Sequence, residues 1–149
     1  MVEFVQVGEN FYFNVTAPVG TGQMNRLDDA ELVRFGYKSM VKAAKVPVDP
    51  QLKSLIDKMS SSGPFSDDLA AVITQHENVR GGTQDGRVSR AVTFHGTGYD
   101  GQHSWIIEVL SNNIRAATSK IFPRLDFDTT CGPALKTMLS VFIFGGINQ

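Results

Sequence analysis

The segment VGTGQMNRLDDAELVRF, residues 19–35, sets two glycines two positions apart, then an asparagine, then acids leading into apolar residues. Two readings compete for it. A glycine-rich loop that feeds a helix can cradle phosphate through free backbone N–H groups and the positive end of the helix dipole. The dinucleotide form of that loop needs a third glycine, between a strand and a helix of a parallel βαβ unit. Here Asn25 stands in the third glycine's place, and the segments that follow read helical. The Gly-Lys-Ser/Thr of a P-loop is missing, and Asp28, Asp29 and Glu31 would repel a phosphate. The segment is therefore punctuation before a structural helix. Gly20 and Gly22 make the turn, Asn25 or Asp28 caps the helix, and Asp28, Asp29 and Glu31 complement its dipole.

The helix that follows carries Leu32, Val33, Tyr37, Met40, Val41 and Ala44 at helical spacing. Gly36 inside it costs about 1 kcal/mol relative to alanine, which predicts a neighbour packed closely there. Val46-Pro47 ends it, because a residue before proline avoids the α region. A second helix is predicted over 50–59, opened by a proline at its first position. Ser66 caps a third, DDLAAVITQHENV, with Leu69, Val72, Ile73 and His76 along one side. GGTQDGRVSR (81–90) and FHGTGYDGQH (94–103) read as loops. A fourth helix spans roughly 104–119 and a last one 133–144, ending at Gly145-Gly146. Upstream, residues 1–18 read as extended, with Val5, Val7, Phe11, Phe13 and Val15 on odd positions and a turn at Gly8-Glu9-Asn10. The sum is one mainly helical domain, a small bundle with a short extended or β-hairpin N-terminal segment.

Composition narrows the function classes. A chain of 149 residues can bury a core of its own. With 14 basic and 15 acidic residues it lacks the basic stripe of a nucleic-acid binder. One cysteine, Cys131, excludes an intrachain disulfide. No run reaches the length of a membrane span, and MVEFVQVGEN has neither the charged nor the apolar region of a secretory signal. The expected compartment is the cytoplasm at synthesis, with later release by lysis or a dedicated machine.

Chemistry-bearing residues are few. His95 and His103 flank Asp100, but two histidines and one acid fall short of the three or four convergent ligands of a zinc site. His76 sits on an apolar helix face, the usual place of a satisfied, partly buried histidine. Cys131 precedes a helix start, yet DTTCGPALK carries no cysteine-hydrolase signature. Asp67-Asp68 and Asp126/Asp128 read as caps and solvated charge. No metal, no cofactor and no catalytic set is expected. Tyr99 and Trp105 offer flat aromatic faces among polar residues, as sugar and peptide sites do. Trp105 reads first as a core anchor, and Tyr99 as the freer candidate.

Three blocks carry a family resemblance. Val19, Gly20, Gly22, Asn25, Asp28, Asp29, Leu32 and Val33 are similar to the VG-x-G-x-x-N-x-x-D-D-V-x-L-V-Q segment that opens the first helix of peptidoglycan-binding-like domains, with Ala30 for the usual valine. GPFSDDLAAVITQHE (63–77) resembles their G-x-x-T-x-x-A-V-x-x-F-Q helix, with Gln75-His76-Glu77 where Phe-Gln is usual. GGTQDGRVS (81–89) resembles their G-x-x-D-G-R-V-x-P turn, with Ser89-Arg90 at the proline region. The resemblance implies a helical core over 19–90, preceded by the extended segment 1–18 and followed by a helical extension over 91–149. It implies a non-catalytic module that holds peptidoglycan or a related glycan and positions a partner. The groove would lie between the first and third helices, with Gln75, His76 and Arg80 on its rim and Tyr99 nearby. The alternative is a structural subunit of a phage tail or contractile injection particle, acting at the cell envelope. It would dock protein neighbours through FYFNV near one chain end and VFIFGG near the other. A cell-wall hydrolase using His95, Asp100, His103 or Cys131 is the minor alternative.

Overall fold

A computed structural model describes residues 1–96 and 104–145. Its axis is α1 (Leu27–Ala43), packed against α2 (Pro50–Lys58), α4 (Ile106–Ala117) and α5 (Pro133–Thr137), while α3 (Asp67–Arg80) lies on α2. A two-stranded antiparallel hairpin, β1 (Glu3–Val7) and β2 (Asn10–Asn14), lies over α4. A second short ladder joins β3 (Val19–Gly20) to β4 (Arg87–Val88). The protein is thus a mainly helical small domain with an N-terminal β-hairpin.

The interior of α1 departs from the expected amphipathic stripe. Every residue from Asp28 to Tyr37 is buried, four of them charged. A charge can be buried only when its hydrogen bonds are met, and each of these four is met by segments distant in sequence, with Gly63 serving both Glu31 and Arg34. Asp28 accepts from the Val2 N–H at 2.8 Å. Asp29 accepts from the Thr16 and Ala17 N–H groups, both at 3.2 Å, and from the Thr16 hydroxyl. Glu31 accepts from the Gly63, Ala134 and Leu135 N–H groups at 2.8–3.0 Å. Arg34 donates to the carbonyls of Ser60, Gly63 and Pro64 and to the Asp68 carboxylate.

The capping expectation is corrected accordingly. The helix starts behind Arg26 with no side-chain cap. Asp28 and Asp29 lie inside its first turn and bind the N-terminal segment. Asn25, at φ 52°, clips the preceding turn instead: its side chain accepts from the Gly20 N–H and donates to the Gly20 carbonyl, both at 2.8 Å. Gly22 supplies a left-handed turn residue at φ 73°. The neighbour predicted at Gly36 is Leu110 of α4: a Cβ on Gly36 would stand 2.7 Å from the Leu110 Cβ.

The hairpin differs from the odd-position pattern. Glu3 pairs with Asn14 and Val7 with Asn10, so odd residues of one strand face even residues of the other. Phe4 therefore shares a face with Phe11 and Phe13, with ring centroids 5.0 and 4.9 Å away. Val5 and Val7 lie on the opposite face with Tyr12, whose ring stacks on Phe94 at 4.6 Å. From Tyr12 to Val15 the chain is buried on both faces. The last helix also differs: α5 is five residues long and continues as a wider π-helical turn over Met138–Ile143. That turn keeps Leu139 in the core and leaves Val141 and Phe142 outside.

Candidate functional site

α3 stops at Gly81, whose φ of 74° only glycine adopts without strain. One turn earlier, Glu77 points inward and accepts from the Gly86 N–H at 2.8 Å and the Asp85 N–H at 3.2 Å. That carboxylate folds the 81–86 turn back along the helix. Burial raises its pKa, against the lowering effect of the Gly86 N–H. The turn then delivers Arg87 and Val88 to pair with Gly20 and Val19. A Cβ on Gly20 would press on the Gly86 carbonyl, so the opening glycine of the 19–35 segment is there for close approach. Two separate motifs of the sequence, VGTG and DGRV, thus meet as one ladder.

Arg80 reaches across to the Ser104 carbonyl, 2.6 Å away, just before Trp105 and the start of α4. Between these elements lies a cleft of about 470 Å³, lined by Glu77, Arg80, the Gly81-Gly82 backbone, Asp85, Arg87 and Trp105. Trp105 is half-buried, packed on the core while lining the cleft. Arg87 lies at the mouth with its Nε 3.2 Å from an Asp85 oxygen, the two side chains 45% and 35% exposed. The cleft combines two guanidiniums, two carboxylates and one indole. Such a set can bind a charged ligand with an apolar face.

The other sequence candidates fall elsewhere. His76 is buried rather than on a rim, with its Nδ1 2.9 Å from the Tyr37 hydroxyl in the contact between α1 and α3. Burial and the neighbouring Arg80 lower its pKa to about 4. Gln75 is half-buried and donates to Asp49 at 3.2 Å, the residue that caps α2. At His76, therefore, α1 and α3 meet in a side-chain contact rather than opening as a groove. Arg80 alone of the rim residues faces a cleft. Tyr99, Asp100 and His103 lie outside the described residues.

Of the residues weighed for catalysis, His95, Cys131, Asp126 and Asp68 are each tied down. The His95 Nδ1 is 2.9 Å from Glu108, which also accepts from the His95 and Gly96 N–H groups and so anchors this loop to α4. Cys131 is buried, and its thiol is pushed up to about 12 by burial and by Glu31, Asp126 and Asp128. Asp126 pairs with Arg124 at 2.7 Å, and Asp68 with Arg34. Among the described residues no group of three or more His, Cys, Asp or Glu could hold a metal ion, and no helix is long and apolar enough to cross a membrane.

Sequence reasoning missed Glu77, Asp85 and Arg87 as site residues. The signal was available in DGRV, read there only as a turn.

A second concavity, about 630 Å³, is mainly apolar and lies between the start of α1 and the last helix. Leu27, Pro133, Met138 and Phe142 line it, with Phe142 63% exposed.

Compared with known proteins, the chain matches no family model, no curated protein and no solved structure.

Proposed function

We propose that the protein is a non-catalytic binding module for peptidoglycan or a similar cell-wall polymer, which positions a partner component at the envelope. The reading is supported by the resemblance of three segments to peptidoglycan-binding-like domains. The observation that carries it is the cleft beside the Gly20–Arg87 ladder. There, two of those segments adjoin a half-buried indole and four charged side chains. An indole face takes the apolar side of a sugar or an aliphatic chain, and fixed charges supply orientation. The site moves accordingly from Gln75 and His76 to Arg80, Arg87 and Trp105. Pelleting of the purified chain with isolated sacculi tests the reading. Wild type co-sediments and Trp105→Ala does so several-fold less; a wild-type chain that stays in the supernatant ends it.

A second reading, a structural subunit of a phage tail or injection particle, is favoured by one observation. Leu27 and Phe142 are exposed at the apolar concavity near the C-terminal end of the described chain. Large exposed apolar groups mark protein contacts when they are contiguous. Native mass determination at rising concentration tests it. A strictly monomeric species at high concentration counts against self-assembly.

A further inference from the structure

We infer that the cleft at the end of α3 takes the zwitterionic peptide part of such a polymer rather than its sugar chain; this rests on the cell-wall reading above. Among the described residues, Arg80 and Arg87 face the same 470 Å³ space as Glu77 and Asp85, so the cleft presents groups of both signs. A neutral sugar would cover the Arg87–Asp85 pair at the mouth without offering a charge to either side chain. A purely anionic ligand would meet two carboxylates as well as two guanidiniums, and like charges brought together select against it. A ligand that bears one carboxylate and one ammonium meets both.

The geometry assigns the ends. Arg87 uses its Nε on Asp85, while its terminal nitrogens make no hydrogen bond among the described residues. That leaves the planar fork that receives a carboxylate in bidentate fashion. Asp85, beside it at the mouth, is the exposed acid for an ammonium group. Their mutual pair is solvent-exposed and therefore weak, so a ligand carrying both charges exchanges it for two pairs at little cost. Glu77 has both oxygens engaged by the Asp85 and Gly86 N–H groups, which makes it a positioning residue for the turn. Gly81 and Gly82 present bare backbone along the cleft, where a peptide main chain can approach. Trp105 supplies the apolar wall for its side chains.

The test is NMR titration of the full chain with three probes. These are an alanine-terminated tetrapeptide with free ends, the same peptide with its carboxyl amidated, and a peptide-free chitooligosaccharide. The free peptide is expected to shift the Gly81, Gly82 and Trp105 indole N–H resonances. Amidation, or Arg87→Gln, is expected to weaken it at least tenfold, with no response to the oligosaccharide. Amidation alters no protein residue, so that arm stands even if a variant folds poorly. Binding of the oligosaccharide without the peptide overturns the inference and leaves the cell-wall reading intact. Equal affinity for free and amidated peptide overturns it, because charge then plays no part. If no probe binds while sacculi still pellet the protein, the inference alone falls; if sacculi fail too, both do.

Discussion

Arg34 holds Asp68, 34 positions away, through both carboxylate oxygens at 2.9 and 3.0 Å, and does so from a fully buried site. The guanidinium also donates to the carbonyls of Ser60, Gly63 and Pro64, so the loop between α2 and α3 is wrapped around one cation. Asp68 is partly exposed, so the main loss on removing Arg34 comes from the three carbonyls left without a donor, about 1–3 kcal/mol for each that stays buried. Arg34→Met is expected to lose stability of that order in urea unfolding. Arg34→Lys is expected to lose nearly as much, because an ammonium cannot serve this fan of acceptors.

Glu31 stands on the same helix face one turn earlier, and its three N–H donors come from Gly63, Ala134 and Leu135. Glu31→Gln turns one acceptor oxygen into a donor against those N–H groups and is expected to cost about 1–3 kcal/mol. Gly132→Ala is expected to be damaging at the same place, since a Cβ there would strike the Glu31 carboxylate. Thermal unfolding of the two single variants and the double checks the shared origin. Their effects are expected to be less than additive.

Gly36→Ala should gain about 1 kcal/mol from helix propensity. The 2.7 Å approach to the Leu110 Cβ reverses the sign. A net loss of about 1–3 kcal/mol is expected, as for other overpacked sites. In a Leu110→Gly background the same substitution is expected to cost nothing. A double-mutant cycle by denaturant unfolding reads this directly.

His76 sets an acid limit on stability. Its pKa is about 4 in the folded chain, against an ordinary value of 6.5. The unfolded chain therefore takes up a proton first as pH falls. Stability present above pH 6.5 is lost progressively down to about pH 4, by up to about 3 kcal/mol. Asp29 and Glu77, with pKa values raised by burial, oppose this slope, because their protonation favours the folded state. The comparison that isolates His76 is the urea midpoint of wild type and of His76→Leu combined with Tyr37→Phe, from pH 7.5 to 4.5. The double variant is expected to lose the acid slope assigned to His76.

Cys131 is expected to alkylate slowly while the protein is folded. A thiol at about 12 holds about a thousandfold less thiolate near pH 8 than an ordinary one. Iodoacetamide labelling followed by mass spectrometry, with and without urea, measures the ratio. Equal rates in the two conditions would show the thiol to be open and activated.

Where the sequence spoke through local chemistry, it was legible. Pro50 at a helix start, the apolar side Leu69, Val72, Ile73 and His76, and the close neighbour of Gly36 are all present in the fold. The hairpin was legible as a turn, but not in register, because register depends on which residues cross-pair and Tyr12 is buried as deeply as Phe13. The acids of DDAELVR were misread for a related reason. A carboxylate at a helix start has the same sequence signature whether it faces water or receives backbone N–H groups from elsewhere. The site was legible in part: Arg80 lines the cleft, but the partners that make it one come from Asp85, Arg87 and Trp105. Only folding brings the DGRV turn and the start of α4 together.

The four charges inside α1 also bear on how far the chain can be divided. Glu31 draws its donors from residues 63, 134 and 135, Asp29 from 16 and 17, and Asp28 from residue 2. A segment cut at 19–90 would expose Leu110's partner surface and leave buried acids without the donors that make them tolerable. The segments beyond residue 90 are thus part of the foundation of α1 rather than an appendage to it. Transplanting the cleft to another protein would require the whole circuit, from the first strand to the last helix.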